Sequence, residues 1–185
     1  VARLEVRGDG LIADALSRGR GVLVLAPHLG NWEVVGLHLA TLGPTVALYQ
    51  PLRLAALGPM VTQARQRTGA KLVPTNKAGL GALLRALHGG GIAGILPDQV
   101  PDQGAAGCNV PFMGVPCFTG ALANGLLRKT GALAIMAYAE RVRGGFILRY
   151  RVAQGAVSGE DLYLALAALN RDIEACLAQC PEQYQ

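Results

Sequence analysis

Val22-Leu23-Val24-Leu25-Ala26-Pro27-His28-Leu29-Gly30-Asn31-Trp32-Glu33 is the stretch from which the rest of the chain is read. The first four residues form an apolar, β-branched run of the kind that makes a buried strand. Past Glu33, Val34-Val35-Gly36-Leu37-His38-Leu39 has the spacing of an amphipathic helix that stops near Gly43. His28 therefore falls where a strand gives way to a helix, at the carboxyl edge of a sheet, which is where open α/β sheets place their sites. Glu33 follows five residues later, close enough for the turn to bring its carboxylate beside the imidazole. A carboxylate on one ring nitrogen fixes the tautomer and leaves the other nitrogen free to take a proton. The plainer alternative is a His near a helix start and a first-turn Glu favoured by the helix dipole.

Composition narrows the classes. The chain has 185 residues, of which 51% are hydrophobic and 16% charged. That is enough apolar surface for one sizeable core, so residues 1–185 are expected to form a single domain. No run approaches the roughly 18 uninterrupted apolar residues of a membrane span. The net charge of +5 and pI near 9.3 favour anionic partners. Lys and Arg are dispersed, aromatic residues are few and no nucleic-acid motif is present, so nucleic acid is not expected. An anionic membrane surface, a phosphorylated lipid or an acidic carrier protein fits this balance, as does a merely solvated basic surface. Cys108, Cys117, Cys176 and Cys180 contain no CxxC pair and are expected to be reduced packing residues, not metal ligands.

Along the chain, Asp9 is placed to cap a short helix through Leu16. Strands are expected at 45–49, 71–74 and 92–96, with helices over about 54–68 and from Asn76 to Leu87. From Pro97 to Phe118, Pro and Gly punctuation without a clear period predicts a long loop. A helix through Leu122, Leu126 and Leu127 precedes a hairpin turning at Arg143-Gly144-Gly145. Ser158-Gly159-Glu160-Asp161 resembles a capping box for a last helix through Leu177. Alternating strands and helices imply an α/β fold, a mainly parallel sheet covered by helices, with a C-terminal antiparallel hairpin and helix.

Several chemistries drop out. Ser17 and Ser158 are the only serines and neither lies in Gly-x-Ser-x-Gly, which argues against a serine hydrolase. Gly89-Gly90-Gly91-Ile92-Ala93-Gly94 spells a dinucleotide fingerprint but precedes a strand instead of following one. His28, His38 and His88 are isolated from one another, so no metal site is expected.

Beyond the His28 stretch lie, in order, Tyr49-Gln50-Pro51-Leu52, Arg65-Gln66-Arg67, Pro97-Asp98-Gln99, Val110-Pro111-Phe112-Met113-Gly114 and Pro181-Glu182-Gln183-Tyr184. With His-x4-Glu, this ordered set resembles the lipid A biosynthesis acyltransferases, of the lauroyl/myristoyl type, within the glycerol-3-phosphate acyltransferase-like superfamily. The resemblance implies a fatty acyl chain moved from acyl carrier protein, or from acyl-CoA, to a hydroxyl of a glycolipid, most simply a lipid A precursor. No cofactor is implied. His28 would be the general base and Glu33 its partner, with backbone N–H groups at the following helix start as oxyanion donors. Arg65 and Arg67 would bind substrate phosphate, while Asp98, Gln99 and Asn31 would line the acceptor site. Arg65 and Arg67 as solvated charges, and Asp98 as a turn residue, stay open as alternatives. Gln50 stands where the family has a basic residue, which leaves the acceptor open, including other glycolipids. The family normally carries an N-terminal membrane anchor, so the chain is expected to be a catalytic fragment, truncated at both ends, of a protein at the cytoplasmic face of the bacterial inner membrane. The reading from another class is a non-catalytic glycolipid-binding or membrane-associated module.

Overall fold

The computed structural model describes residues 3–49, 70–101 and 104–185. Its centre is a seven-stranded sheet built from β1 (Arg3–Arg7), β2 (Val22–Leu25), β3 (Thr45–Tyr49), β4 (Lys71–Pro74), β5 (Ile92–Ile95), β8 (Leu133–Val142) and β9 (Gly145–Val152). The order across it is β1-β9-β8-β2-β5-β3-β4, and every pairing is parallel except β8 with β9. The mainly parallel sheet with an antiparallel hairpin is thus the architecture that alternating strands and helices imply.

β2 lies at the middle, and its four residues are wholly buried because both faces of the sheet are covered. The two-residue period sorts them. Leu23 and Leu25 face a core closed by α3 (Lys77–His88), α4 (Leu122–Thr130) and α5 (Leu162–Leu177). Val22 and Val24 face the other core, closed by α1 (Gly10–Ser17) and α2 (Trp32–Leu42). Asn76 caps α3, its Oδ1 accepting from the Gly79 N–H. Among the described residues no helix is long and apolar enough to cross a membrane.

Four local expectations need correction. The edge strand β1 went unread, because Arg3-Leu4-Glu5-Val6-Arg7 is mostly exposed and carries little apolar signal. Asp9 precedes α1 but makes no side-chain cap. The cap of α5 is Asp161, whose Oδ1 accepts from the Leu164 N–H, while Ser158 donates back to Gly155 O in a 3-10 turn. The fourth correction is the segment 97–118, which is not a plain loop. Within it β6 (Gly107–Phe112) and β7 (Val115–Gly120) form an antiparallel ribbon.

The ribbon's turn places Met113 at φ 50° and Gly114 at φ 79°, the paired positive values of a tight two-residue hairpin. Pro111 faces Pro116 across the ribbon, one register step from the Phe112–Val115 pair that closes the turn. Antiparallel pairs alternate between bonded and non-bonded, so both prolines occupy a non-bonded pair and cost the ladder nothing. Asn170 Nδ2 donates to Pro111 O, and Glu174 Oε1 accepts from the Met113 N–H, fastening the ribbon to α5. Its apolar residues divide: Val110 is wholly buried, whereas Met113 and Val115 project from the tip.

The predicted helix over 54–68, Gln50, Arg65 and Arg67 lie outside the described residues.

Candidate functional site

Two neighbouring parallel strands place the central pair. Leu25 on β2 is in register with Ile95 on β5. His28 and Asp98 each lie three residues beyond those partners, so both emerge at the same sheet edge. Asp98 Oδ1 lies 2.8 Å from His28 Nδ1, and Asp98 Oδ2 accepts the His28 backbone N–H at 2.7 Å. A carboxylate at this position accepts, so Nδ1 carries the proton and Nε2 keeps its lone pair. The Asp98 side chain is 2% exposed and that of His28 18%. The acid is thus shielded behind the imidazole, which alone of the pair reaches the cavity described below.

This changes the assignment drawn from the sequence. Asp98, expected in the acceptor wall, occupies the Nδ1 position that the spacing had given to Glu33. Glu33 lies in the first turn of α2 and lines the same cavity as His28. Asn31, also expected to touch substrate, is the cap of α2: its Oδ1 accepts from the Glu33 N–H at 3.1 Å. Gln99 does line the cavity. Trp32 packs near the imidazole, ring centroids 6.4 Å apart and edge-on.

The loop carrying His28 is clamped from two sides. Gly30 pairs with Ala139 of β8, and Asn31 N–H donates to Ala139 O at 2.8 Å. On the other side runs a strap formed by residues 181–185. Gly30 N–H donates to Gln183 O, Leu29 bridges Tyr184 in antiparallel fashion, and Gln185 N–H donates to His28 O. Burial first, then the neighbouring Asp98 carboxylate, pushes the Tyr184 phenol up to about 12. The sequence reading missed this arrangement; Pro181-Glu182-Gln183-Tyr184 stood out only as a family block.

Five of the backbone N–H groups around this helix start are engaged within the protein. The N–H groups of Leu29, Gly30, Asn31, Glu33 and Val34 already donate to Pro27 O, Gln183 O, Ala139 O, Asn31 Oδ1 and Asn31 O respectively.

Gly30 is required by the close approach. Its φ is +63°, and an added Cβ would sit 2.0 Å from Ala139 O. Gly30→Ala is expected to destabilise the protein by about 2–3 kcal/mol, through backbone strain and collision. A melting temperature lowered by about 5–10 °C checks this; an unchanged one would show that the loop re-seats freely.

In front of His28 opens a cavity of about 1140 Å³. Val24, Ala26, Val35, Leu39, Ala47 and Leu80 contribute to a mainly apolar wall, while His28, Glu33 and Gln99 bring polar groups to it. The volume lies just above the usual range of about 300–1,000 Å³ for small-molecule sites. His38 plays no part here: its Nδ1 pairs with the Tyr150 hydroxyl at 2.9 Å, and burial lowers its pKa.

The chain matches, over residues 1–185, the model of the bacterial lipid A biosynthesis acyltransferase family. It is 29% identical over 97% of its length to the lipid A biosynthesis palmitoleoyltransferase of Escherichia coli K12, and equally to a lipid A biosynthesis acyltransferase of Shigella flexneri. It spans 58% of the length of each relative. With the family model covering every residue and a histidine-acid pair facing an apolar cavity, the chain belongs to the bacterial lipid A biosynthesis acyltransferases.

Proposed function

We propose that this chain carries the acyl-transfer centre of an enzyme that moves a fatty acyl group from a carrier thioester to a hydroxyl of a lipid A precursor. The observation supporting it is the His28–Asp98 pair at the mouth of a large apolar cavity. The cavity holds the acyl chain, each buried methylene contributing about 0.8 kcal/mol. Its carbonyl then stands at the cavity mouth.

A sugar hydroxyl attacks poorly until its proton is removed. As the hydroxyl oxygen bonds to the thioester carbonyl carbon, His28 Nε2 takes the hydroxyl proton. Asp98 holds the imidazolium that forms. The tetrahedral oxyanion collapses, the carbon–sulfur bond breaks, and the imidazolium returns the proton to the departing thiolate. Ester and thiol are the products, and no covalent enzyme intermediate is needed. Glu33 brings a second carboxylate to the same cavity wall. Acyl carrier protein is the donor favoured by the basic net charge, since an acidic partner associates faster with a positive surface; acyl-CoA is the alternative. Arg65 and Arg67 are proposed to bind acceptor phosphate, and the protein to act at the cytoplasmic face of the inner membrane.

The test is transfer by the natural full-length protein, in detergent, from fatty-acyl carrier protein and from acyl-CoA to a purified lipid A precursor. Ester formation with either donor is the expected result. Binding of the lipid without transfer from either donor would overturn the reading in favour of a non-catalytic module.

A further inference from the structure

We propose that Gly36 sets the length of acyl chain this protein accepts, by keeping open a channel between α2 and the sheet into which a longer chain extends. This rests on the reading of the cavity in front of His28 as the acyl site.

The 3.6-residue period of α2 puts Trp32, Gly36 and Leu39 on one stripe, and all three line the cavity. Trp32 stands at the mouth, edge-on to the imidazole. Leu39 lies two turns further along and is 3% exposed. Between them Gly36 leaves a gap. A Cβ added there would meet no atom within 4 Å among the described residues. Helical side chains lean toward the N-terminal end of their helix. A group placed on Gly36 would therefore reach back toward Trp32, across the way in from His28.

The opposite wall is small as well. Val24, Gly94 and Ala47 are in register on β2, β5 and β3, so they share the sheet face that Val24 turns to the core under α2. All three line the cavity. A Cβ on Gly94 would come no nearer than 3.7 Å, to the Ala47 methyl. The channel thus has a glycine on its helix side, and a glycine and an alanine on its sheet side.

Gly36 differs from Gly30 in having no backbone reason to be glycine. It lies in the interior of a helix, its φ is not positive, and no backbone atom presses on it. A glycine in that setting costs helix stability relative to alanine. What it supplies in return is open volume along the cavity wall. That volume is read as chain length, because each methylene buried strengthens binding about fourfold.

The test uses the natural full-length protein and its Gly36→Ala and Gly36→Leu variants, with dodecanoyl and hexadecanoyl thioesters on whichever carrier supports transfer. The quantity read is kcat/KM for the longer chain divided by that for the shorter. Displacing one methylene, Gly36→Ala should lower this ratio about fourfold; displacing two or more, Gly36→Leu should lower it about fifteenfold or further. Gly36→Ala should also raise the melting temperature by about 2–4 °C, since alanine favours the helix. A ratio unchanged in both variants would overturn the proposal. So would rates for the two chains that fall in step with the melting temperature, because Gly36 would then serve the fold alone. If Gly36→Leu fails to fold, Gly36→Ala decides. A substrate-free arm separates the channel from the catalytic reading: native mass spectrometry of the protein with free dodecanoate and hexadecanoate. Gly36→Leu is expected to lose hexadecanoate preferentially. That loss in a protein that transfers no acyl group would refute the catalytic reading and leave the channel standing. Transfer with neither the binding difference nor the changed ratio would refute the channel alone.

Discussion

Asp98→Asn is expected to lower acyl transfer by about a hundred- to ten-thousandfold, close to the loss from His28→Ala. The amide is nearly the size of the carboxylate and can accept from only one oxygen. Its NH2 group would either face the His28 backbone N–H or donate to Nδ1, drawing the ring proton to Nε2. That second arrangement blocks the lone pair needed to take the hydroxyl proton. Substrate binding should change little, because Asp98 lies behind the imidazole and not in the cavity wall. Glu33→Gln is the informative companion. With Asp98 on Nδ1, its loss removes a carboxylate from the cavity wall but leaves the tautomer intact, so its effect on kcat should be smaller than that of Asp98→Asn. Measuring kcat for both, with melting temperatures on the same samples, decides between the two acids. A larger loss from Glu33→Gln would restore the pairing that the spacing suggests.

The largest expected loss of stability lies away from the site. Asp172 on α5 is 1% exposed, and its Oδ1 accepts from Arg151 Nη1 at 2.7 Å. Its Oδ2 accepts from the Gln154 N–H, and Arg151 Nη2 also donates to Asp172 O. One carboxylate thus ties the last helix to the end of β9. Asp172→Ala would leave the guanidinium and a backbone N–H without that partner, at a cost of about 3–5 kcal/mol. Thermal unfolding should fall by about 10 °C. Replacing Arg151 and Asp172 together by Met and Leu is expected to cost less than Asp172→Ala alone, because no charge is then left behind. A double replacement costing more than the single one would mean that the pair adds net stability beyond its own desolvation.

Most of the fold was legible because local signals agreed with it. The apolar run at Val22–Leu25, the cap at Asn76 and the glycine stops each specify an element without help from distant residues. The position of His28 at a strand-to-helix turn was legible for the same reason. Its partner was not, because the carboxylate nearest in sequence is Glu33, whereas the one on Nδ1 is 70 positions away. Finding Asp98 required the register of β2 against β5, which a single sequence does not state. The signal existed all the same: both residues lie equally far past an apolar strand, and adjacent parallel strands would align them. The ribbon was missed through its prolines, which argue against a strand unless they face each other at a non-bonded pair. The strap was missed because five residues after a helix carry no period, and their order comes from the backbone of a distant loop.

That strap gives the loop around His28 a temporal property. A chain leaving the ribosome makes His28 early and residues 183–185 after every strand and helix described above. Until those residues arrive, the Gly30 N–H and the His28 carbonyl lack their partners. A nascent chain can therefore hold the sheet and the His28–Asp98 pair while the loop between them and α2 still has one of its two clamps missing. The second clamp on this loop closes only once the chain has been synthesised through its strap.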